Sequence, residues 1–184
     1  MAKRGETIEM AEEVDLADEI SSGSRTQFNS DLKEGQEIEK KLQKSLEVMD
    51  IVDSVITGNT YEWDLKVNLP NVHILIEVKN DKKFSETGNL GIEFKCRGNP
   101  SGIDTTNATL WFHHYDGKFR FIKVPDLKKL IEDKAYFHIV TKGGYKDSFT
   151  HMYLFRKSVF EKYTKLFEPE NFNERLVKVN EQFA

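Results

Sequence analysis

Residues 61–79 read YEWDLKVNLPNVHILIEVK, two short apolar-rich runs joined by the turn-like Asn68-Leu69-Pro70-Asn71. The first, Tyr61 to Val67, sets aromatic and β-branched residues around one acid, Asp64, and reads as a strand. The second, Val72 to Val78, is apolar enough to be buried on both faces of a sheet, and it closes on Glu77-Val78-Lys79. Alternation along a strand turns Val78 to one face and returns Lys79 to the side of Glu77. Asp64 and Glu77 are thirteen residues apart with a turn between them, so they can meet at one end of a sheet.

Upstream, Ile38, Leu42, Leu46, Met49, Val52 and Ile56 recur at spacings of three and four, which predicts a long helix from Ser30 to Val55. Ser30 is placed to cap it, Asp31 and Glu34 suit its first turn, and Thr57-Gly58-Asn59 ends it. Glu39 falls at the border of the apolar stripe. Residues 1–30 hold three basic and seven acidic side chains and then run through SSGSRTQFNS, which predicts an acidic, disordered tail or a segment that docks on a protein partner.

Downstream, Asn89 to Lys95 predicts a third strand, and 97–102 (RGNPSG) a loop able to expose backbone N–H groups. Ala108 to Tyr115 and Lys118 to Val124 flank Asp116-Gly117, a strong hairpin signal. Pro125 opens a short helix to Asp133. Tyr136 to Val140 and Met152 to Phe155 are strands, with a mobile loop at Gly143-Gly144 between them. A closing helix runs from Arg156 to Phe167 and ends at Pro169. Residues 170–184 are polar and expected at the periphery. The sum is an α/β or α+β domain over 31–169, a central mixed sheet with a long first helix packed on it.

The 184 residues suffice for one domain with a sizeable core. At 38% hydrophobic and 32% charged, with no apolar run near the roughly 20 residues that span a bilayer, we expect a soluble, cytoplasmic protein without a signal peptide. Cys96 is the only cysteine, which excludes an intrachain disulfide and a cysteine-built zinc site. Residues 31–184 hold 24 basic and 24 acidic side chains, so total charge gives no support to a nucleic-acid partner.

An acid, a second acid and a lysine at one sheet end suit phosphodiester hydrolysis. Mg²⁺ takes oxygen ligands, typically one or two carboxylates plus waters and phosphate. Such a cation polarises the phosphate and acidifies a bound water. An ammonium beside it can hold that water or stabilise the pentacovalent phosphate. The Glu-x-Lys tripeptide alone is weak, since it occurs four times, at Glu39, Glu77, Glu93 and Glu132. The rival register is Glu93-Phe94-Lys95 with Asp81, but Asp81 falls in a charged loop. A structural ion pair is the other reading of Asp64, Glu77 and Lys79.

The Asp64, Glu77-Val78-Lys79 arrangement resembles the PD-(D/E)xK nuclease superfamily. Gly35, Ile38 and Glu39 followed by Leu42 resemble the first-helix motif of Holliday-junction resolvases in that superfamily. Thr87-Gly88-Asn89 with Ile92-Glu93, then Pro100-Ser101-Gly102-Ile103 with Thr106 and Trp111, look like a phage-type subgroup. The proline expected before the aspartate is Trp63 here. The resemblance spans Gly35 to Val124 and implies a restriction-endonuclease-like αβββαβ core. It implies that Asp64, Glu77 and the Val78 carbonyl hold Mg²⁺ or Mn²⁺, that Lys79 is the catalytic lysine, and that Glu39 assists at the metal. Glu93 and Ser101 fall in the site region without a firm role. The implied activity is a metal-dependent DNA endonuclease, branched or junction DNA leading, with a homodimer to cut two strands. A restriction-, repair- or homing-type nuclease on linear duplex, and a non-catalytic nucleic-acid-binding protein, are the alternatives.

Lys82, Lys83, Lys95 and Arg97 follow the candidate strands and are the expected phosphate contacts. Lys118, Arg120, Lys123, Lys128 and Lys129 read as ordinary surface. The five histidines lack metal-ligand spacing. His73 reads as a satisfied strand histidine, and His113 and His114 point to opposite faces.

Overall fold

The computed structural model describes residues 29–58, 62–142 and 149–184. The expectations for residues 1–28 and for Gly143-Gly144 lie outside the described residues. Residues 1–36 and 37–184 form separate units, and the described part of the first, 29–36, is helical.

Helix α1 covers 29–47, with Ser30 in its first turn and its hydroxyl on Glu34 at 3.2 Å. It ends eight residues earlier than the stripe predicts. Met49 N–H reaches back only three residues, to the Leu46 carbonyl, and the β-branched run that follows becomes strand β1, Ser54–Thr57. Leu42, Leu46 and Met49 are buried as expected, whereas Ile56 is exposed.

Strand β2 is Leu65–Asn68 and β3 is His73–Asn80. A four-residue helix α2, Phe84–Thr87, leads to β4, Asn89–Cys96, and the two-residue β5, Asn99–Pro100. Arg97 and Gly98, both at positive φ, make the tight β4–β5 turn. A 3-10 turn, Gly102–Asp104, precedes β6, Leu110–Tyr115, and β7, Lys118–Lys123. Asp116 and Gly117 both take positive φ between them, as the hairpin signal requires. Then come α3, Val124–Glu132, β8, His138–Lys142, and β9, Thr150–Arg156. Helix α4, Lys157–Tyr163, is shorter than expected. It is followed by β10, Lys165–Leu166, and α5, Pro169–Glu181.

The fold is mixed α/β, with a central mixed sheet flanked by helices. Its strand order is β1-β2-β3-β6-β7-β10, with β3 and β6 the parallel pair. The expectation of one sheet needs correction. Strands β4, β5, β8 and β9 leave it to form a second, antiparallel sheet ordered β5-β4-β9-β8. Alternation on β3 divides the interior. Ile74, Ile76 and Val78 join one core with Leu42, Leu46 and Met49 of α1. Leu75 faces the other core, which holds Trp111, Leu90 and Ile92 of the second sheet, and Leu127 and Phe160 of α3 and α4.

The C-terminal expectation also changes. Pro169 starts a helix instead of ending one, because a missing N–H costs nothing in the first turn. Phe172 and Leu176 of α5, each 2% exposed, complete the first core, and Asn180 accepts the Asn71 N–H at 2.8 Å. Residues 170–184 therefore belong to the domain and are no peripheral extension. No helix among the described residues is long and apolar enough to cross a membrane.

Candidate active site

The β2–β3 ladder ends at Leu65 opposite Ile76. Asp64 lies just before β2, not inside a strand as expected, and it occupies the next rung. Its N–H donates to the Ile76 carbonyl at 2.9 Å, and its Oδ2 accepts the Val78 N–H at 2.6 Å. Gly58 N–H donates to the Asp64 carbonyl at 2.7 Å. A Cβ on Gly58 would come within 2.3 Å of the Trp63 carbonyl oxygen, so this close approach requires glycine. The residue read from sequence as a helix stop is instead a clamp on the candidate acid.

Strand alternation places Glu77 and Lys79 together, as expected. Glu77 is 4% exposed, and Lys79 keeps 37% of its side chain in solvent. Lys79 Nζ lies 2.5 Å from Glu77 Oε1 and 5.7 Å from the ring centroid of Trp111, the β6 neighbour of Glu77. Thr106 Oγ1 stands 3.1 Å from Glu77 Oε2 and 3.0 Å from the Glu62 carbonyl, two acceptors for one hydroxyl proton. It also accepts the Ala108 N–H at 3.1 Å. Thr106 is the site residue whose role was missed. Only its appearance in the phage-type pattern singled it out.

Asp64, Glu77 and Lys79 line one cavity of about 430 Å³. Its other wall comes from β4 and the segment after β5: Glu93, Pro100, Ser101, Gly102 and Thr105. Ser101 Oγ donates to Glu93 Oε1 at 2.5 Å, and Ser101 N–H donates to the Phe94 carbonyl at 3.0 Å. Gly102 sits at φ +54°, and a Cβ there would come within 2.3 Å of the Glu93 carbonyl oxygen. The β4–β9 register shifts between Glu93 and Lys95, a bulge that re-aims the strand beside the cavity.

Electrostatics tie Glu39 to this group. Burial, then the Asp64 charge, push its carboxyl up to about 7, with Lys79 opposing and Glu77 adding. Burial also raises Glu77, against the pull of Lys79 and with a push from Asp64. Burial works to lower Lys79, but Glu77, Asp64 and Glu93 outweigh it and raise the ammonium's pKa. Three carboxylates and one ammonium leave the site short of positive charge. That imbalance, with oxygen donors from Asp64 and Glu77, fits a hard divalent cation. Among the described residues there is no group of three or more His, Cys, Asp or Glu poised to hold a metal. A Mg²⁺-type site needs only one or two carboxylates.

The rival register does not assemble. Asp81 Oδ2 accepts the Gly91 N–H at 3.0 Å and lies 3.6 Å from the buried Nε2 of His113, while Glu93 shares the cavity of Asp64. Lys82, Lys83, Lys95 and Arg97 do not line the cavity. Their expected nearness assumed that β3 and β4 pair, and these strands lie in different sheets. Lys82, Lys83 and Arg97 are exposed and Lys95 is half-buried. Arg120 is structural, bonding Thr164 Oγ1 at 2.8 Å and the Glu161 carbonyl at 3.0 Å. His73 is exposed at the start of β3, not embedded in the strand. A larger concavity of about 570 Å³ beside α4 presents Arg156 and Lys157 but contains none of the predicted site residues.

No protein-family model matches the chain, and neither curated proteins nor solved structures give a match.

Proposed function

We propose that this chain is a divalent-cation-dependent DNA endonuclease of the PD-(D/E)xK type. The observation that carries the reading is the convergence of Asp64, Glu77 and Lys79 on one cavity from two separate strand ends. A plain structural ion pair needs Glu77 and Lys79 alone. It does not call for Asp64, or for a helix acid pushed up to about 7 beside them.

The chain order gives further support. A helix, a three-strand antiparallel meander and a strand parallel to the third, β6, follow the αβββαβ sequence of elements. The departure is the crossover, where the only helix is the four-residue α2 and the rest builds the second sheet.

In this reading Asp64 and Glu77 would hold Mg²⁺ or Mn²⁺ together with the Val78 carbonyl. Asp64 Oδ2 accepts the Val78 N–H, so Oδ1 would be the oxygen available to a cation. The bound cation supplies Lewis-acid polarisation of the phosphate and an acidified water. Lys79 orients the attacking water and offsets charge developing on the phosphate oxygens. Glu39, its carboxyl pushed up to about 7 by burial and then by Asp64, accepts or returns a proton within electrostatic reach of the site. The Trp111 ring steadies the Lys79 ammonium and the Thr106 hydroxyl the Glu77 carboxylate. Lys82, Lys83, Lys95 and Arg97 contact phosphates away from the scissile bond. Branched DNA is the preferred substrate and a homodimer the working form, both by resemblance to junction resolvases.

Labelled four-way junction and matched linear duplex, incubated with Mn²⁺, test the substrate. Preferential nicking of the junction is expected. Equal or better cutting of the duplex would replace the junction role with a restriction-, repair- or homing-type one.

A further inference from the structure

Lys79 Nζ occupies Glu77 Oε1 at 2.5 Å, and the Thr106 hydroxyl stands 3.1 Å from Oε2. A cation held by Glu77 would need one of those oxygens. It has the same sign as the ammonium already there, and at close range in a partly buried site that repulsion is large. Lys79 therefore needs a second place to stand.

The opposite wall provides one. Glu93 lines the same cavity and is close enough to contribute to the electrostatic surroundings of Lys79. Among the described residues Glu93 makes no ion pair of its own, so its carboxylate is uncommitted except to a neutral hydroxyl. Its placement is over-determined. The β4 bulge turns the strand beside it, Ser101 donates both its N–H and its Oγ–H to the 93–94 segment, and Gly102 packs where no Cβ fits. The Ser101 hydroxyl donates to Glu93 Oε1, and Glu93 lines the cavity with its other carboxylate oxygen not engaged by that bond. Lys79 Nζ stands over the Trp111 ring, 5.7 Å from its centroid, on a flexible four-carbon chain that can swing the ammonium to a second partner.

We propose that Lys79 exchanges carboxylate partners, leaving Glu77 for Glu93 when a divalent cation enters, with Ser101 holding Glu93 in the receiving position. Glu93 is thus a positioning residue that acts through the lysine. The inference rests on the reading of the cavity as a cation site.

Calorimetric titration of the full chain with Mn²⁺ tests it, using wild type, Glu93→Gln, Lys79→Met and the double variant. Lys79→Met removes the competing ammonium but keeps an unbranched apolar side chain, so Mn²⁺ binds more tightly. Glu93→Gln strands the ammonium on Glu77 and weakens Mn²⁺ by about tenfold, a usual scale for residues supporting a ligand. In the Lys79→Met background the same change alters affinity by at most about twofold, because the two groups act as a pair. Ser101→Ala shifts affinity in the same direction as Glu93→Gln, by less. As a second readout, the NMR signals of the Lys79 side chain move on Mg²⁺ saturation in wild type and stay in place in Glu93→Gln. Equal weakening by Glu93→Gln in both backgrounds would make Glu93 a direct partner of the cation and overturn the exchange. Unchanged affinity in Glu93→Gln would overturn it too. Absence of Mn²⁺ binding to wild type would instead remove the cation-site reading beneath it.

Discussion

At the scale of single residues, Glu39 makes the sharpest prediction. Its ordinary carboxyl value is 4.5, and burial with Asp64 pushes it up to about 7 in the fold. Between those values the folded chain binds a proton that the unfolded chain has lost. Its contribution to stability is therefore present below about pH 4.5 and is lost as pH rises through about 7. In chelator, Glu39→Gln flattens the fall in thermal midpoint across that window and is the more stable protein near pH 8, which scanning calorimetry reads directly. Glu77, Lys79 and Asp64 were legible because strand alternation and a turn are local rules. Glu93 was legible as a rival register and, through the resemblance, as a site-region residue without a firm role, since nothing in the spacing says that β4 leaves the first sheet and brings its acid back to the same cavity. The Gly58 clamp and the Thr106 hydroxyl depend on close approaches between distant segments, which periodicity does not encode.

Elements show where pattern competes with partner availability. A three-and-four spacing runs through Met49, Val52 and Ile56, but Val55 and Ile56 find an antiparallel partner in Val67 and Lys66, and the helix stops at 47. Tertiary pairing outweighs propensity there. At the other end, a polar-looking tail hides Phe172, Leu176 and Val179 on one face of a helix. Leu176→Ala in α5 should cost about 2–5 kcal/mol in denaturant unfolding, as for other core leucines; a peripheral segment would lose almost nothing. Gly102→Ala should cost at least about 2 kcal/mol, since it adds a Cβ at positive φ against the Glu93 carbonyl. It should also lower cleavage by disturbing the Glu93 wall, whereas Gly117→Ala in the Asp116-Gly117 hairpin should strain the fold without touching the cavity.

For the whole molecule, the sequence anticipated a mixed α/β domain organised on the Asp64–Lys79 hairpin, and that architecture holds. The division into two sheets was not readable, because parallel pairing of β3 with β6 joins segments separated by some thirty residues. With a formal charge of −4, the molecule has no global pull on nucleic acid, so the DNA binding that the proposed function requires would come from local cations. DNA affinity should fall steeply with salt, and removing one of Lys82, Lys83, Lys95 or Arg97 should reduce the log–log slope by about one per phosphate contact. The central claim is that one cavity joins Asp64, Glu77 and Lys79 into a cation-dependent cleaving site. The most direct test is cleavage of a labelled four-way junction with Mg²⁺, Mn²⁺ or EDTA by wild type, Glu77→Gln and Lys79→Met, each verified as folded. Cutting with either metal, none in EDTA, and a loss of more than about 100-fold in both variants is the predicted result. Cutting that persists in EDTA, or that survives both substitutions, would contradict it.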